Sequence, residues 1–496
     1  MQQARETGSR GPASASRVRA PDGRSRIMIP DLRRWPQPRR IAMISEHASP
    51  LATLGGVDAG GQNVYVEAIA SRLARDGDRV DVFTRRDREG VAAEVEWRRG
   101  ARAVHVPAGP PADIPKEELL PYMPDFRDWM LGYMARQAEP FAYSLVHANF
   151  WMSGLVAADI KARLGIPYVV TFHALGRVRR RHQGIADRFP DERFDIEERV
   201  AREADIVIAE CPADAQDLVE LCGADPERLR TVPCGYDQRL FHPVDRTEVR
   251  ARLGLDPDEE IVLQLGRLVP RKGVDTVISA MALLRDRHRR FVRLLIVGGA
   301  EREPNPTGDP ELARLVALVE SLGLGDRVTF VGRRDRGELR DYYAAADIFV
   351  STPWYEPFGI TPVEAMACGV PVIGSAVGGI KTTVADGETG YLVPPRDPEA
   401  LAARIAHCFG QPGLLAVLGR LAQHRASTLY TWDRVTSLLE DVYNEVLEPR
   451  RQIWPTHSLT PRSALGRDRA PGRDAPTRAA IPVEHDPAAI RERRGA

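Results

Sequence analysis

The sequence predicts an α/β protein built from two doubly wound parallel-sheet domains that face each other across a cleft. Three observations predict it. Short buried-strand patterns alternate with helical patterns over residues 40–209 and again over 261–373. A polar, charged stretch from Pro243 to Glu260 separates the two series. The length of 496 residues exceeds what one ordinary core uses and fits several domains.

Each element is justified in turn. Arg40-Ile-Ala-Met-Ile-Ser45 is an apolar run with the length of a buried strand, and the Gly-rich loop Gly55–Gly61 follows it. Val64, Ala68, Ile69 and Leu73 recur at helical spacing, which predicts a helix over 64–75. Val80–Thr84 is the next strand, so strand, loop, helix and strand make a βαβ unit. The alternation continues through strands at Leu145–His147, Tyr168–His173 and Asp205–Ala209, with a helix over Trp151–Leu164. The second series has strands at Ile261–Leu265, Arg293–Val297, Val328–Val331, Ile348–Ser351 and Val370–Ile373. Trp432–Leu447 is a last amphipathic helix.

The predicted division is a disordered basic extension at 1–38, a first domain at 39–245, a second at 246–430, a terminal helix at 431–448 and a disordered tail at 449–496. Met28 is an alternative first residue. Ligands of such sheets bind beyond the carboxyl ends of the strands, so the cleft between the two domains is the expected site.

Composition sets outer limits. With 43% hydrophobic and 28% charged residues the chain has the balance of a soluble globular protein. Lys plus Arg equals Asp plus Glu at 69 each, which leaves no basic surplus for a nucleic-acid partner. Cys211, Cys222, Cys234, Cys368 and Cys408 form no C-x-x-C pair, so neither a disulfide framework nor a zinc site is predicted. A reducing, cytoplasmic setting is expected. No apolar run approaches the roughly 20 residues that span a bilayer. The basic N-terminal arm leaves peripheral contact with a membrane open.

Three motifs carry chemistry. In Glu356-Pro-Phe-Gly-Ile-Thr-Pro-Val-Glu364 the prolines delay a helix, and Thr361 with Pro362 suits its cap and first position. The amides around Gly359, Ile360 and Thr361 then form an anion site beside Phe358. Glu364 has a competing local reading as the far member of a capping box with Thr361. Glu356 has one as a solvated loop carboxylate. In Leu265-Gly-Arg-Leu-Val-Pro-Arg-Lys-Gly273, Arg267 and Lys272 follow a strand and are placed to neutralise a diphosphate. The loop ending in Gly60 and Gly61 also suits a phosphate but lacks the dinucleotide fingerprint. His173 closes a strand, and Arg177, Arg179, Arg180 and Arg181 form a cationic run beside it that suits a phosphorylated ligand. Asp76-Gly-Asp78 and Asp256-Pro-Asp258 read as turns, so no metal and no cofactor are expected.

Together these motifs resemble the retaining GT-B glycosyltransferases of family GT4, over about residues 39–447. The resemblance implies a hexosyltransferase that moves a sugar from a UDP-, GDP- or ADP-sugar to a small-molecule or glycan acceptor. It implies that Glu356 contacts donor-sugar hydroxyls and Glu364 the ribose. It further implies that Arg267 and Lys272 hold the diphosphate, that Gly60, Gly61, Phe358, Gly359, Ile360 and Thr361 complete the donor site, and that His173 faces the sugar. Glu356, His173, Arg267 and Lys272 are the expected catalytic residues. Asp58-Ala-Gly-Gly-Gln-Asn63 and His173-Ala-Leu-Gly-Arg177 are similar to two subgroups with phosphorylated acceptors, the inositol-phosphate and the sucrose-phosphate enzymes. That similarity implies acceptor contacts at Asn63, Lys116, Arg177 and Arg193. Two further acceptor positions of the inositol-phosphate subgroup, a Tyr and a Thr, read Phe150 and Ala174 here. A lipid-linked or polymeric glycan acceptor, and a non-catalytic nucleotide-sugar binder, stand as the alternatives.

Overall fold

The computed structural model describes residues 38–52, 60–136 and 142–448. The basic extension, the tail, and Gly55, Gly56 and Asp58 of the glycine loop therefore lie outside the described residues.

The first half contains β1 (Arg40–Ile44), α1 (Gly61–Arg75), β2 (Arg79–Arg85), β3 (Glu94–Arg98), β4 (Ala101–Val106), α2 (Met123–Ala135), β5 (Leu145–Asn149) and α3 (Trp151–Leu164). It continues through β6 (Tyr168–Thr171), α4 (Gly176–Gln183), α5 (Glu192–Glu203), β7 (Ile206–Ala209), α6 (Pro212–Cys222) and β8 (Leu229–Thr231). The sheet order is β3-β4-β2-β1-β5-β6-β7-β8, parallel except for β3. Ile41 lies opposite Val80 on one side and Leu145 on the other. The strand order therefore reverses between β1 and β5, and a crevice opens there.

The second half contains α7 (Arg246–Leu253), β9 (Ile261–Leu265), α8 (Val274–His288), β10 (Arg293–Val297), α9 (Pro310–Ser321), β11 (Val328–Gly332), α10 (Arg336–Ala345) and β12 (Ile348–Ser351). Then come α11 (Ile360–Ala367), β13 (Val372–Ser375), α12 (Ile380–Thr383), β14 (Gly390–Val393), α13 (Pro398–Gly410), α14 (Leu414–Leu429) and α15 (Trp432–Leu447). Its sheet is β11-β10-β9-β12-β13-β14, all parallel, and the order reverses between β9 and β12. The two reversal points carry the loops of the three motifs.

The sequence expectations are corrected in places. Helix α1 begins at Gly61, not Val64, with Gly60 as its cap. Strand β13 lies two residues later than predicted. The β3–β4 hairpin, α2, α7 and β14 carry no expectation above.

Helix α15 returns to the first half. Asp433 meets Arg72 at 3.0 Å and Arg75 at 3.0 Å, and Glu440 meets Arg39 at 3.2 Å. These partly exposed pairs add little. The anchor is apolar: Trp432, Val435, Leu439 and Tyr443 are fully buried. Each such side chain contributes about 1.5–3 kcal/mol by burial. The Tyr443 hydroxyl lies 2.7 Å from His147 Nδ1, whose other nitrogen lies 3.0 Å from Thr171 Oγ1. Burial, reinforced by nearby His173, holds the His147 imidazole down to about 3, so it is neutral. The two passages between the halves also pair with each other. Tyr236 N donates to the Tyr430 carbonyl at 2.9 Å, and Trp432 N to the Tyr236 carbonyl at 3.2 Å.

No single helix among the described residues is long and apolar enough to cross a membrane.

Candidate active site

A cavity of about 350 Å³ lies where the two reversal points face each other. The fifteen predicted site positions are spread along the two halves, and the fold brings all but Arg177 here. Gly60, Gly61, Asn63, Lys116, His173 and Arg193 line it from the first half. Arg267, Lys272, Glu356, Phe358, Gly359, Ile360, Thr361 and Glu364 line it from the second.

The donor side is built around a carboxylate among cations. Lys272 Nζ donates to Glu356 Oε2, and both side chains are largely buried, 18% and 14% exposed. Burial by itself raises a carboxyl pKa, but Lys272, Arg271 and Arg267 outweigh it and hold Glu356 below the usual carboxylate range. The solvated-loop reading of Glu356 is therefore excluded.

The loop that carries Glu356 is shaped by glycines at two points. Gly359 caps α11 with φ 95°, a left-handed geometry that favours glycine. A Cβ on Gly378 would overlap the Glu356 carbonyl oxygen. The expected cap at Thr361 is thus corrected to Gly359, and Thr361 lies inside the helix. The expected capping box is absent as well. Glu364 instead accepts from Tyr343 Oη at 3.0 Å and from Arg336 at 3.3 Å. Burial pushes its carboxyl up, against the pull of Arg336 and Tyr343. Arg336 follows Gly332-Arg-Arg-Asp335 at the carboxyl end of β11, a cationic run at a strand end that sequence reasoning passed over.

The acceptor side lies beyond β5 and β6. His173 has φ 58°, an uncommon conformation for a residue with a Cβ. Its Nδ1 lies 2.7 Å from Glu210 and its Nε2 3.1 Å from Asn149, and its ring meets the edge of Tyr65 at 4.9 Å. Asn63 lines the cavity, but its amide is engaged locally. It accepts from Gly60 N at 2.9 Å and donates to the Ser49 carbonyl at 2.9 Å.

Arg193 is buried and stacked among aromatic rings, 4.5 Å from the Phe189 centroid and 5.0 Å from that of Phe150. Its Nε donates to Glu197 at 2.7 Å and its Nη2 to the Ala174 carbonyl at 2.6 Å. Its Nη1 has no hydrogen-bond partner among the described residues.

Arg177 is corrected. It does not line the cavity, because its guanidinium turns to Glu198 and to the Leu221 carbonyl at 3.3 Å. Arg179, two residues on and on the other face of α4, lines the cavity instead. It also pairs with Asp187 at 2.7 Å and Glu117 at 3.3 Å.

Behind His173 lies a proton-holding group. Asp214 is half-buried and accepts from Glu210 N at 2.9 Å. Burial, with Glu210 nearby, pushes its carboxyl up to about 8. A raised acid pKa means stability that is present below the ordinary carboxyl value and lost as pH rises through 8. Asp214→Asn keeps the acceptor oxygen and removes the titration. Its thermal midpoint relative to wild type is expected to be higher at pH 9 than at pH 5, as scanning calorimetry would show.

Among the described residues no three His, Cys, Asp or Glu side chains gather as metal ligands. Of the two D-x-D strings, Asp78 pairs with Arg39 at 2.6 Å, and Asp256 accepts from Asp258 N at 2.9 Å in a turn.

A two-sheet cleft with a cation-flanked carboxylate loop suits a transferase that uses a diphosphate-bearing donor. A family profile described as "Glycosyltransferase Family 4" matches residues 59–240, and one described as "Glycosyl transferases group 1" matches 245–425. D-inositol 3-phosphate glycosyltransferase 2 of Catenulispora acidiphila is 37% identical over 420 residues, covering 84% of this chain and 97% of that protein. The D-inositol 3-phosphate glycosyltransferase of Acidothermus cellulolyticus is 38% identical, covering 84% and 92%. Among solved structures, sucrose-phosphate synthase of Thermosynechococcus elongatus superposes with a TM-score of 0.75 at 36% identity, covering 82% of this chain and 99% of that one. HepE of Anabaena, solved with UDP and glucose, shares the fold with a TM-score of 0.63 at 22% identity, covering 82% and 100%. The chain belongs to the retaining glycosyltransferases of family 4, with the GT-B architecture, and is a hexosyltransferase.

Proposed function

We propose that this chain moves a hexosyl group from a nucleotide-diphosphate sugar to a hydroxyl of a small phosphorylated acceptor. Residues 246–430 hold the donor and 39–245 the acceptor. The observation that carries this reading is the separation of cations in one cavity. Arg267 and Lys272 line it from the second half, and Lys116, Arg179 and Arg193 from the first. A donor diphosphate and an acceptor phosphate use them together. The inositol-phosphate enzymes and sucrose-phosphate synthase among the relatives are named for phosphorylated molecules of this kind.

The reaction proceeds on one face of the sugar. Arg267 and Lys272 neutralise the leaving diphosphate as the anomeric bond stretches. Glu356 holds donor-sugar hydroxyls, Glu364 holds the ribose, and His173 faces the sugar. The acceptor hydroxyl attacks from the side the phosphate leaves, and a leaving phosphate oxygen takes its proton. No metal is required, since protein cations supply the charge, so EDTA is expected to leave turnover unchanged.

The test is a panel of UDP-, GDP- and ADP-sugars, each with fructose 6-phosphate, inositol 3-phosphate and their unphosphorylated forms, with UDP-sugars first. Nucleotide release and product mass are followed. Release that depends on a phosphorylated acceptor supports the reading. Turnover only with unphosphorylated or polymeric glycans overturns it.

A further inference from the structure

Glu210 directly follows β7, is buried and lines the cavity, yet no motif above includes it. Its Oε1 lies 2.7 Å from His173 Nδ1 and accepts from Cys234 Sγ at 3.1 Å. Its amide donates to Asp214 in the first turn of α6. Burial and Glu210 push that Asp214 carboxyl up to about 8. Near neutral pH Asp214 therefore keeps its proton, and Glu210 supplies the negative charge behind His173.

The other ring nitrogen of His173 meets Asn149 Oδ1 at 3.1 Å. Asn149 cannot turn its NH₂ to the ring without loss, because that group donates to the Ile44 carbonyl at 3.2 Å and the His147 carbonyl at 3.4 Å. Both nitrogens of one imidazole therefore face acceptors. A neutral ring would set its lone pair against one of them, whereas a ring with two protons satisfies both. The clamp acts on a strained residue. His173 has φ 58°, and such conformations persist where the surroundings over-determine them. The next carbonyl in the chain, that of Ala174, receives Arg193 Nη2 at 2.6 Å, so the setting of His173 is coupled to the acceptor side.

We propose that Glu210 is a positioning residue that, with Asn149, holds His173 as a doubly protonated ring in one fixed orientation towards the sugar. The inference rests on the reading above in which His173 faces the sugar, and it adds what fixes that residue and what it cannot do. A ring that donates from both nitrogens has no lone pair for the acceptor's proton. The step then balances without it. The acceptor oxygen bonds to the anomeric carbon, the bond from that carbon to the diphosphate oxygen breaks, and the hydroxyl proton passes to a leaving phosphate oxygen.

The experiment uses the full chain in two readouts. Nuclear magnetic resonance of isotopically labelled histidine reports the proton on each ring nitrogen near neutral pH, where a free imidazole is largely neutral. The His173 signals are identified by their loss in His173→Gln. Two protonated nitrogens are expected in wild type and one in Glu210→Gln, which keeps an acceptor oxygen for Nδ1 and removes the charge. Steady-state kinetics with the donor and acceptor that the panel identifies is the second readout. A misplaced group can cost about 10²-fold, so kcat is expected to fall by roughly 10- to 100-fold in Glu210→Gln, with both KM values and the thermal midpoint little changed. Glu210→Asp keeps the charge and should recover part of kcat together with the second ring proton.

A wild-type ring with a lone pair on either nitrogen overturns the inference and leaves the proposed function standing. Wild-type kcat in Glu210→Gln does the same. Equal losses in Glu210→Gln and Glu210→Asp, with a lowered thermal midpoint and an unchanged ring spectrum, also overturn it, since they assign Glu210 to structure. A wild-type protein inert with every donor and acceptor overturns the proposed function, while the ring spectrum, which needs no substrate, still decides the clamp.

Discussion

Lys272→Ala is expected to lower kcat by about 10²–10³-fold, the usual cost of deleting one group that meets developing negative charge. Two effects combine. The leaving diphosphate loses a cation, and Glu356 loses the ammonium that orients it. Arg271 and Arg267 still face Glu356, so the carboxylate stays charged but turns toward them. Lys272→Arg is expected to restore little, because a planar fork does not replace a point charge on the same carboxylate oxygen. The loss should fall mainly on kcat, with donor binding weakened less, as single-turnover kinetics would show. The variant also carries a pH signature. Glu356 has a depressed carboxyl pKa in the fold, so its stabilisation is present above the ordinary carboxyl range and is lost as pH falls through the folded value. Removing Lys272 brings that folded value upward. The acid-unfolding midpoint should therefore move to higher pH, as followed by circular dichroism.

Arg193→Ala is expected to damage both folding and acceptor binding, by about 3–5 kcal/mol for the broken buried pair alone. Arg193 and Glu197 are each 1% exposed. Glu197 also accepts from Gly176 N through both oxygens at 3.0 Å, at the start of α4. Burial already raises its carboxyl pKa against the pull of Arg193. Without the guanidinium it takes up a proton, and the α4 start loosens. The two roles separate in a double variant. Arg193→Met with Glu197→Leu replaces the pair by apolar groups of similar size, and such replacements often recover stability. The thermal midpoint should return toward wild type while acceptor KM stays high, because Nη1, the nitrogen without a partner among the described residues, is gone. Recovery of both would assign Arg193 to structure alone.

Most of the framework was legible because parallel strands buried on both faces read as short apolar runs. Trp151–Leu164 and Trp432–Leu447 match their helices end to end. The β3–β4 hairpin was not legible. Glu94-Val-Glu-Trp-Arg98 is an edge strand that alternates with charge and never forms an apolar run. In the site, residue type and strand-end position were enough to gather Arg267, Lys272, Glu356 and His173. What failed was orientation. Thr361 and Glu364 have local capping-box spacing, but Glu364 is claimed by Tyr343 and Arg336, which lie 21 and 28 residues away in sequence. Arg177 and Arg179 belong to one cationic run, and only the helix phase of α4 decides which one faces the cavity. His47, which also lines the cavity just beyond β1, carried no motif at all.

The pairing of Tyr236 with Tyr430 and Trp432 has a mechanical consequence. The chain passes between the halves twice, and hydrogen bonds fasten the two passages side by side. Two such passages set apart would resist rotation like a pair of struts. Fastened together they act as the spine of a book, whose covers turn about one line and cannot slide. Trp432 thickens that spine against Gly235, where any Cβ would strike its ring. Displacement then grows with distance from the spine, so the outer rim of the cleft travels farthest while the residues nearest the spine keep their spacing.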